Sequence, residues 1–240
     1  MAMNKHKPKP KPKLRHLAII PDGNRRWAKE RGLSSWKGHD EGSKKIEEII
    51  KEAASLGIEY LTFWIASRDN LAKRSKGEVG FLYELFQKAF EALLKNKKIY
   101  EEDVKVRIIG FWKNSVPKKL ENSISQLIEA TKSHKSKHLS FLFDYDGLSE
   151  MIEGIKLITK NSQSEINYNT VRQKLVTSEL PPIDLVIRTG GEPHNSAGFM
   201  MWHTAYSQYY FTPTFFPSFG KRELKKAVKD YYNRDRRFGA

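Results

Sequence analysis

None of the 240 residues is cysteine, so neither disulfides nor thiolate zinc sites can brace the fold, and a reducing compartment is permitted. No apolar stretch reaches the roughly 20 residues that cross a bilayer. The Lys-Pro start also lacks the apolar centre of a secretory signal, so a soluble chain is expected. Two common phosphate loops are missing: there is no GxxxxGK[ST] segment and no GxGxxG, which argues against a P-loop NTPase and a dinucleotide enzyme. Acid is in short supply, with 28 Asp and Glu against 43 Lys and Arg, a net charge of +15. Residues 5–15, KHKPKPKPKLR, hold five Lys and one Arg without an acid, and +9 remains when they are set aside. That excess suits nucleic acid, phosphorylated small molecules or an acidic membrane surface, without choosing among them.

At 39% hydrophobic and 12% aromatic, the chain can bury one sizeable core. A single domain over residues 15–240 is expected behind a basic arm of residues 1–14, whose alternating Lys and Pro favour disorder or polyproline II. The run HLAII at 16–20 has strand length; Asp22-Gly23-Asn24 then reads as a turn, and Arg25, Arg26 and Trp27 open a helix ending before Gly32. GHDEG at 38–42 leads into a helix with Ile46, Ile49, Ile50, Ala53 and Ala54 on one face. Strands are expected at 60–66, 104–109, 139–143 and 184–187, and helices at 82–94, 116–132, 148–160, 168–178 and 220–234. Strands separated by such helices imply right-handed crossovers, hence a largely parallel sheet of about five or six strands flanked by helices in an α/β fold.

Parallel strands deliver their carboxyl ends to one rim. Asp22-Gly23-Asn24 follows the first strand, Ser67 to Asn70 the second, and Arg188-Thr189-Gly190-Gly191 the fifth. Each alone reads as an ordinary turn or helix cap, and His39 alone as a surface residue. Together they gather cations, polar groups and glycine backbone where an open α/β sheet binds ligands. A carboxylate beside two arginines in a phosphate turn makes sense if a divalent cation bridges Asp22 to phosphate oxygens, so a magnesium diphosphate site is the minimal reading.

These residues resemble a known family. IIPDGNRRWA, GHDEG, the Ser67 to Asn70 loop, DLVIRTGGE, FMMWHTAYSQYYF leading to FFPSF, and the ending RDRRFG are similar in register, over nearly all of residues 15–239, to the cis-prenyltransferases. The resemblance implies a usually dimeric enzyme with a hydrophobic tunnel, extending an allylic prenyl diphosphate with isopentenyl diphosphate through a cis double bond and releasing pyrophosphate. Under it Asp22 holds Mg2+, and Gly23, Asn24 and Arg26 grip the phosphates. His39 and Asn70 sit near the leaving group and Ser67 in the allylic region; Arg188 and Ser196 take the isopentenyl diphosphate. Trp27, Lys73, Arg74 and His194 join the substrate-binding set, and the 82–94 stripe with Phe141 and Phe143 walls the tunnel. Arg237 and Gly239 match an RxG ending that reaches across the dimer to the partner's site.

Several positions depart from the pattern. Leu71 replaces an aromatic, and Lys73 stands where an arginine is usual, with Arg74 adjacent. Ser35 replaces another arginine, Pro193-His194-Asn195-Ser196 replaces His-Arg-x-Ser, and Gln208 stands for an acid. The weakened acceptor side motivates one alternative, a non-catalytic partner subunit of the same fold, but such subunits generally lose the Asp motif that is kept here. A nucleic-acid binder rests on charge alone, with no recognition motif, and no nucleic-acid partner is expected. The expected location is cytoplasmic, with peripheral contact at an anionic membrane.

Overall fold

A computed structural model of the chain describes residues 13–160 and 165–234. Six strands, β1 (His16–Ile20), β2 (Tyr60–Ala66), β3 (Val104–Ile109), β4 (Lys137–Phe143), β5 (Leu185–Arg188) and β6 (Gln208–Phe211), form one sheet in the order β3-β4-β2-β1-β5-β6. Every pairing is parallel, as the strand-helix alternation requires. The helices are α1 (Asn24–Lys29), α2 (Ser35–Ser55), α3 (Arg68–Lys73), α4 (Lys76–Lys95), α5 (Lys97–Glu101), α6 (Lys118–Thr131), α7 (Gly147–Thr159), α8 (Tyr168–Lys174), α9 (Met201–Thr204) and α10 (Lys221–Asn233).

β1 is buried throughout, and its side chains alternate between two cores, as period-two geometry demands. Leu17 and Ile19 join the larger core with Phe63, Phe141 and residues of α2, α4, α6 and α10. Ala18 and Ile20 face a smaller one made with Trp64, Leu142, Tyr145 and Phe199. Leu14, assigned to the arm from sequence, is only 2% exposed, and its N–H donates to the Tyr232 hydroxyl at 3.1 Å. Lys13 pairs with Glu59 at 2.8 Å, so the folded unit begins two residues earlier than the Lys-Pro pattern suggests.

GHDEG does not precede a helix but lies inside α2. Its two glycines are there for closeness: a Cβ on Gly38 would stand 2.1 Å from the Asn24 carbonyl oxygen, and one on Gly42 2.3 Å from Asn24 Oδ1. α2 therefore runs against the first turn of α1 at a separation no other residue permits. The polar stretch after β2 contains the short α3, capped by Ser67, whose Oγ accepts the Asn70 N–H at 3.0 Å. The late aromatic segment resolves into α9 and the edge strand β6. Of the expected tunnel walls, Leu82, Leu85 and Phe86 line a cavity, whereas Phe90, Phe141 and Phe143 are buried core residues in edge-to-face contact with their neighbours.

Candidate active site

The carboxyl ends of β2, β1 and β5, three adjacent strands, open onto a cavity of about 990 Å3. Its wall carries five cations, Arg25, Arg26, Lys29, Arg74 and Arg188, against two acids, Asp22 and Asp69, and also the apolar Ile46, Leu82, Leu85 and Phe86. The lining thus offers cations to an anion and apolar side chains to hydrocarbon.

Asp22 stands among these cations. Its backbone is fixed by Thr189, whose hydroxyl oxygen accepts the Asp22 N–H at 2.9 Å and donates to the Asp22 carbonyl at 2.7 Å. Its carboxylate is gripped from both sides, by Arg26 Nη2 on Oδ1 at 3.2 Å and Arg188 Nη2 on Oδ2 at 3.1 Å. The Gly23 N–H also donates to Oδ1. Arg188 is 6% exposed, and its Nη1 donates to the His194 carbonyl at 2.7 Å and Ser196 Oγ at 2.8 Å. Its Nε is buried with no hydrogen-bond partner among the described residues, a donor lacking an acceptor. Asn24 Nδ2 closes the turn onto the Pro21 carbonyl at 3.1 Å, while its Oδ1 is buried and unpartnered.

A second cluster faces these groups from α2 to α4. His39 Nε2 lies 3.2 Å from Arg74 Nη1, and since arginine only donates, that nitrogen carries the lone pair and Nδ1 the proton. Burial, then the Arg74 charge, lowers its pKa to about 4 against the opposing pull of Glu78, so the ring is neutral at physiological pH. Glu78, 7% exposed, sits 3.1 Å from Arg74 Nη1 and 3.8 Å from Arg25 Nε, holding two cations at the wall.

Asp22, Gly23, Asn24, Arg26, His39, Ser67, Asn70, Arg74, Arg188 and Ser196 line this one cavity. Lys73, Trp27 and His194 are outside its lining. Lys73 pairs with Asp69 at 2.8 Å with its side chain 75% exposed, and the residue next to it, Arg74, is the cation that lines the cavity. Trp27 Nε1 donates to Ser218 Oγ at 2.9 Å, and its ring carries Arg31 at 4.3 Å. His194 contributes its carbonyl to Arg188 rather than its ring, which lies 3.1 Å from Ser196 Oγ. Arg237 and Gly239 lie outside the described residues. Sequence reasoning gave Thr189 no role beyond its place in the RTGG segment, and it passed over Glu78, which lies before the helix expected at 82–94 but in the first turn of α4.

The family model described as "Putative undecaprenyl diphosphate synthase" matches residues 20–239. The chain is 37% identical over 231 residues to a tritrans,polycis-undecaprenyl-diphosphate synthase (geranylgeranyl-diphosphate specific) of Pyrococcus horikoshii, covering 94% of this chain and 86% of that one. It is 39% identical to a chloroplastic nerylneryl diphosphate synthase of Solanum lycopersicum, covering 94% and 70%. Among solved structures, lavandulyl diphosphate synthase from Lavandula x intermedia, in complex with dimethylallyl diphosphate, superposes with a TM-score of 0.88 at 33% identity, covering 94% of this chain and 98% of that one. Likeness of this extent in both sequence and fold makes the chain a member of the undecaprenyl diphosphate synthase family of cis-prenyltransferases.

Proposed function

We propose that this cis-prenyltransferase condenses isopentenyl diphosphate with an allylic prenyl diphosphate across the Asp22–Arg188 boundary. The observation that carries this reading is one cavity lined both by the cations Arg25, Arg26, Arg74 and Arg188 and by the apolar Ile46, Leu82, Leu85 and Phe86, which fits an amphiphile with an anionic head. The allylic head lies against Gly23, Asn24, Arg26 and Arg74, with its chain toward Leu82, Leu85 and Phe86. The isopentenyl head takes Ser196 and the unpartnered Nε of Arg188.

In the reaction the allylic C1–O bond breaks and its electron pair leaves with the diphosphate, while the isopentenyl C4 bonds to C1. A proton lost from C2 restores the double bond. Charge developing on the departing diphosphate meets arginines and backbone N–H groups already in place, which is the largest contribution such a site makes. His39 offers Nδ1–H as a donor but is a poor base, because its Nε2 lone pair faces Arg74. A diphosphate oxygen is therefore the acceptor for the C2 proton.

In this reading Asp22 would hold magnesium together with the diphosphate, whose oxygens would draw Arg26 and Arg188 from the carboxylate. Among the described residues no three His, Asp or Glu side chains gather as a metal cage, and one carboxylate completed by substrate oxygens and water is how this ion is commonly held. Once bound there, it would offset diphosphate charge and assist departure of the leaving group. Asp22→Ala should lower magnesium-dependent turnover on the order of a hundredfold or more with the circular dichroism spectrum unchanged; full turnover at saturating magnesium would refute the assignment.

The homodimer and the membrane contact belong to the same reading. α7 turns Leu148, Ile152 and Ile155 outward, 44–58% exposed, and β6 is a sheet edge, so a second copy has an apolar face to cover. Arg237 would then reach the partner's isopentenyl site, supplying a cation where His194 and Asn195 do not. Chains lacking residues 237–240 mixed with Asp22→Ala chains should regain part of the activity, and demonstrably mixed dimers without recovery would refute it. No helix among the described residues is long and apolar enough to cross a membrane, and the basic arm favours attachment to anionic lipid. Vesicle co-sedimentation unaffected by removal of residues 1–12 would make the arm incidental.

A further inference from the structure

The loop from His194 to Met200 carries the Arg188 partners in an unfavourable backbone. Ala197 and Met200 have φ of 44° and 43°, with Gly198 between them at 60°. Left-handed conformations at non-glycine residues cost on the order of 1 kcal/mol or more each and persist only where the surroundings impose them. The surroundings here are a polar network in the smaller core. Tyr145 and Thr177 are fully buried, and Glu150 and His203 are 1% and 2% exposed. The Tyr145 hydroxyl donates to Glu150 Oε2 at 2.6 Å, and the His203 N–H at the far end of this network donates to the Met200 carbonyl at 2.8 Å. Glu150 Oε1 accepts the Thr177 N–H at 2.9 Å and its hydroxyl at 2.7 Å, and Thr177 Oγ1 lies 2.8 Å from His203 Nε2.

Two further contacts tie the loop down. The Gly147 N–H donates to the Ala197 carbonyl at 3.0 Å. Phe199 stacks on Trp64 with ring centroids 5.1 Å apart, and Trp64 Nε1 in turn donates to the Tyr145 carbonyl at 3.1 Å. Burial and the Glu150 charge raise the Tyr145 pKa well above its ordinary value, so the hydroxyl keeps the proton that it donates to Glu150.

We infer that Tyr145 and Glu150 are positioning residues for the isopentenyl diphosphate: through Met200 they hold the strained loop so that Ser196 Oγ and the His194 carbonyl orient Arg188. This rests on the reading of Arg188 and Ser196 as the isopentenyl site. Neither Tyr145 nor Glu150 lines the cavity, so both act only through the loop. A buried carboxylate that served folding alone would move stability without distinguishing one substrate from the other.

The test is steady-state kinetics of Tyr145→Phe in the full chain, with each substrate varied in turn and Ser196→Ala as reference. The expected result is a rise of about tenfold in KM for isopentenyl diphosphate, the scale of one lost buried hydrogen bond. KM for the allylic substrate should stay within about twofold, and amide hydrogen exchange of residues 195–201 should quicken. Should Tyr145→Phe fold poorly, Glu150→Gln is measured in the same way and Glu150→Asp should restore part of the loss. Equal change in both KM values, or none with the fold intact, overturns the positioning role. A Ser196→Ala enzyme with unchanged KM for isopentenyl diphosphate would instead remove the underlying site assignment.

Discussion

Adjacent residues of the same charge have opposite fates here. Arg74 is held at the cavity wall by Glu78, and Lys73 is spent on a surface pair with Asp69. Arg74→Ala is expected to lower kcat/KM on the order of tenfold to a hundredfold, because a charge-assisted phosphate contact is lost, whereas Lys73→Ala should stay within about twofold, as exposed pairs contribute little. Comparable losses in the two variants, measured side by side, would contradict this division. The difference was not legible in sequence, where Lys73 held the expected position. α3 ends at Lys73, and the extended Arg74 that follows, at φ −78° and ψ 156°, sets the register of the two side chains. Asp22 and Arg188 were legible because strand ends announce themselves through apolar runs that stop at polar residues, whereas Ser196, eight residues beyond β5, came only from the family resemblance. Thr189 and Glu78 were not, because a threonine beside a glycine pair has ordinary turn uses and Glu78 precedes the apolar stripe that marks α4 in the sequence.

Elements were recovered where periodicity is strong. β2 and β3 were expected at the residues they occupy, and α4 and α6 show their apolar stripes plainly in sequence. Weak periodicity hid others: α5, with five residues, and β6, whose aromatic sequence suited several structures, emerge only from tertiary contacts. α7 has both kinds of face. Inward it carries Glu150 and Ile158, while outward Leu148, Ile152 and Ile155 have no cover among the described residues. Ile152→Asp, placing a charge at the centre of that face, is expected to convert the proposed dimer to a monomer in light scattering while leaving the circular dichroism spectrum unchanged. If the partner's Arg237 completes the site, the monomer should also need more isopentenyl diphosphate to reach half-maximal rate. A variant that stays dimeric would place the interface elsewhere.

Across the whole molecule, buried histidines set the acid limit. His16, His39 and His203 have pKa values lowered to about 3, 4 and 4, each chiefly by burial, against an unfolded value near 6.5. Between pH 6.5 and 4 the unfolded chain takes up protons that the folded chain refuses, so stability falls as pH falls, by up to about 1.4 kcal/mol per pH unit for each histidine. Urea titrations at pH 7.5, 6 and 5 should show this decline, and a flat profile would contradict it. The same stability underwrites a site whose two halves stand far apart along the chain. Asp22 follows β1 and Arg188 ends β5, and these strands are neighbours with Leu17 opposite Leu185. A chain emerging from the ribosome thus displays Asp22 long before Arg188 exists, and pairings of such sequence separation form slowly. The isopentenyl half of the proposed site, on Arg188 and Ser196, is therefore assembled only when the last quarter of the polypeptide has docked beside the first strand, so an incomplete translation product would hold at most the allylic half.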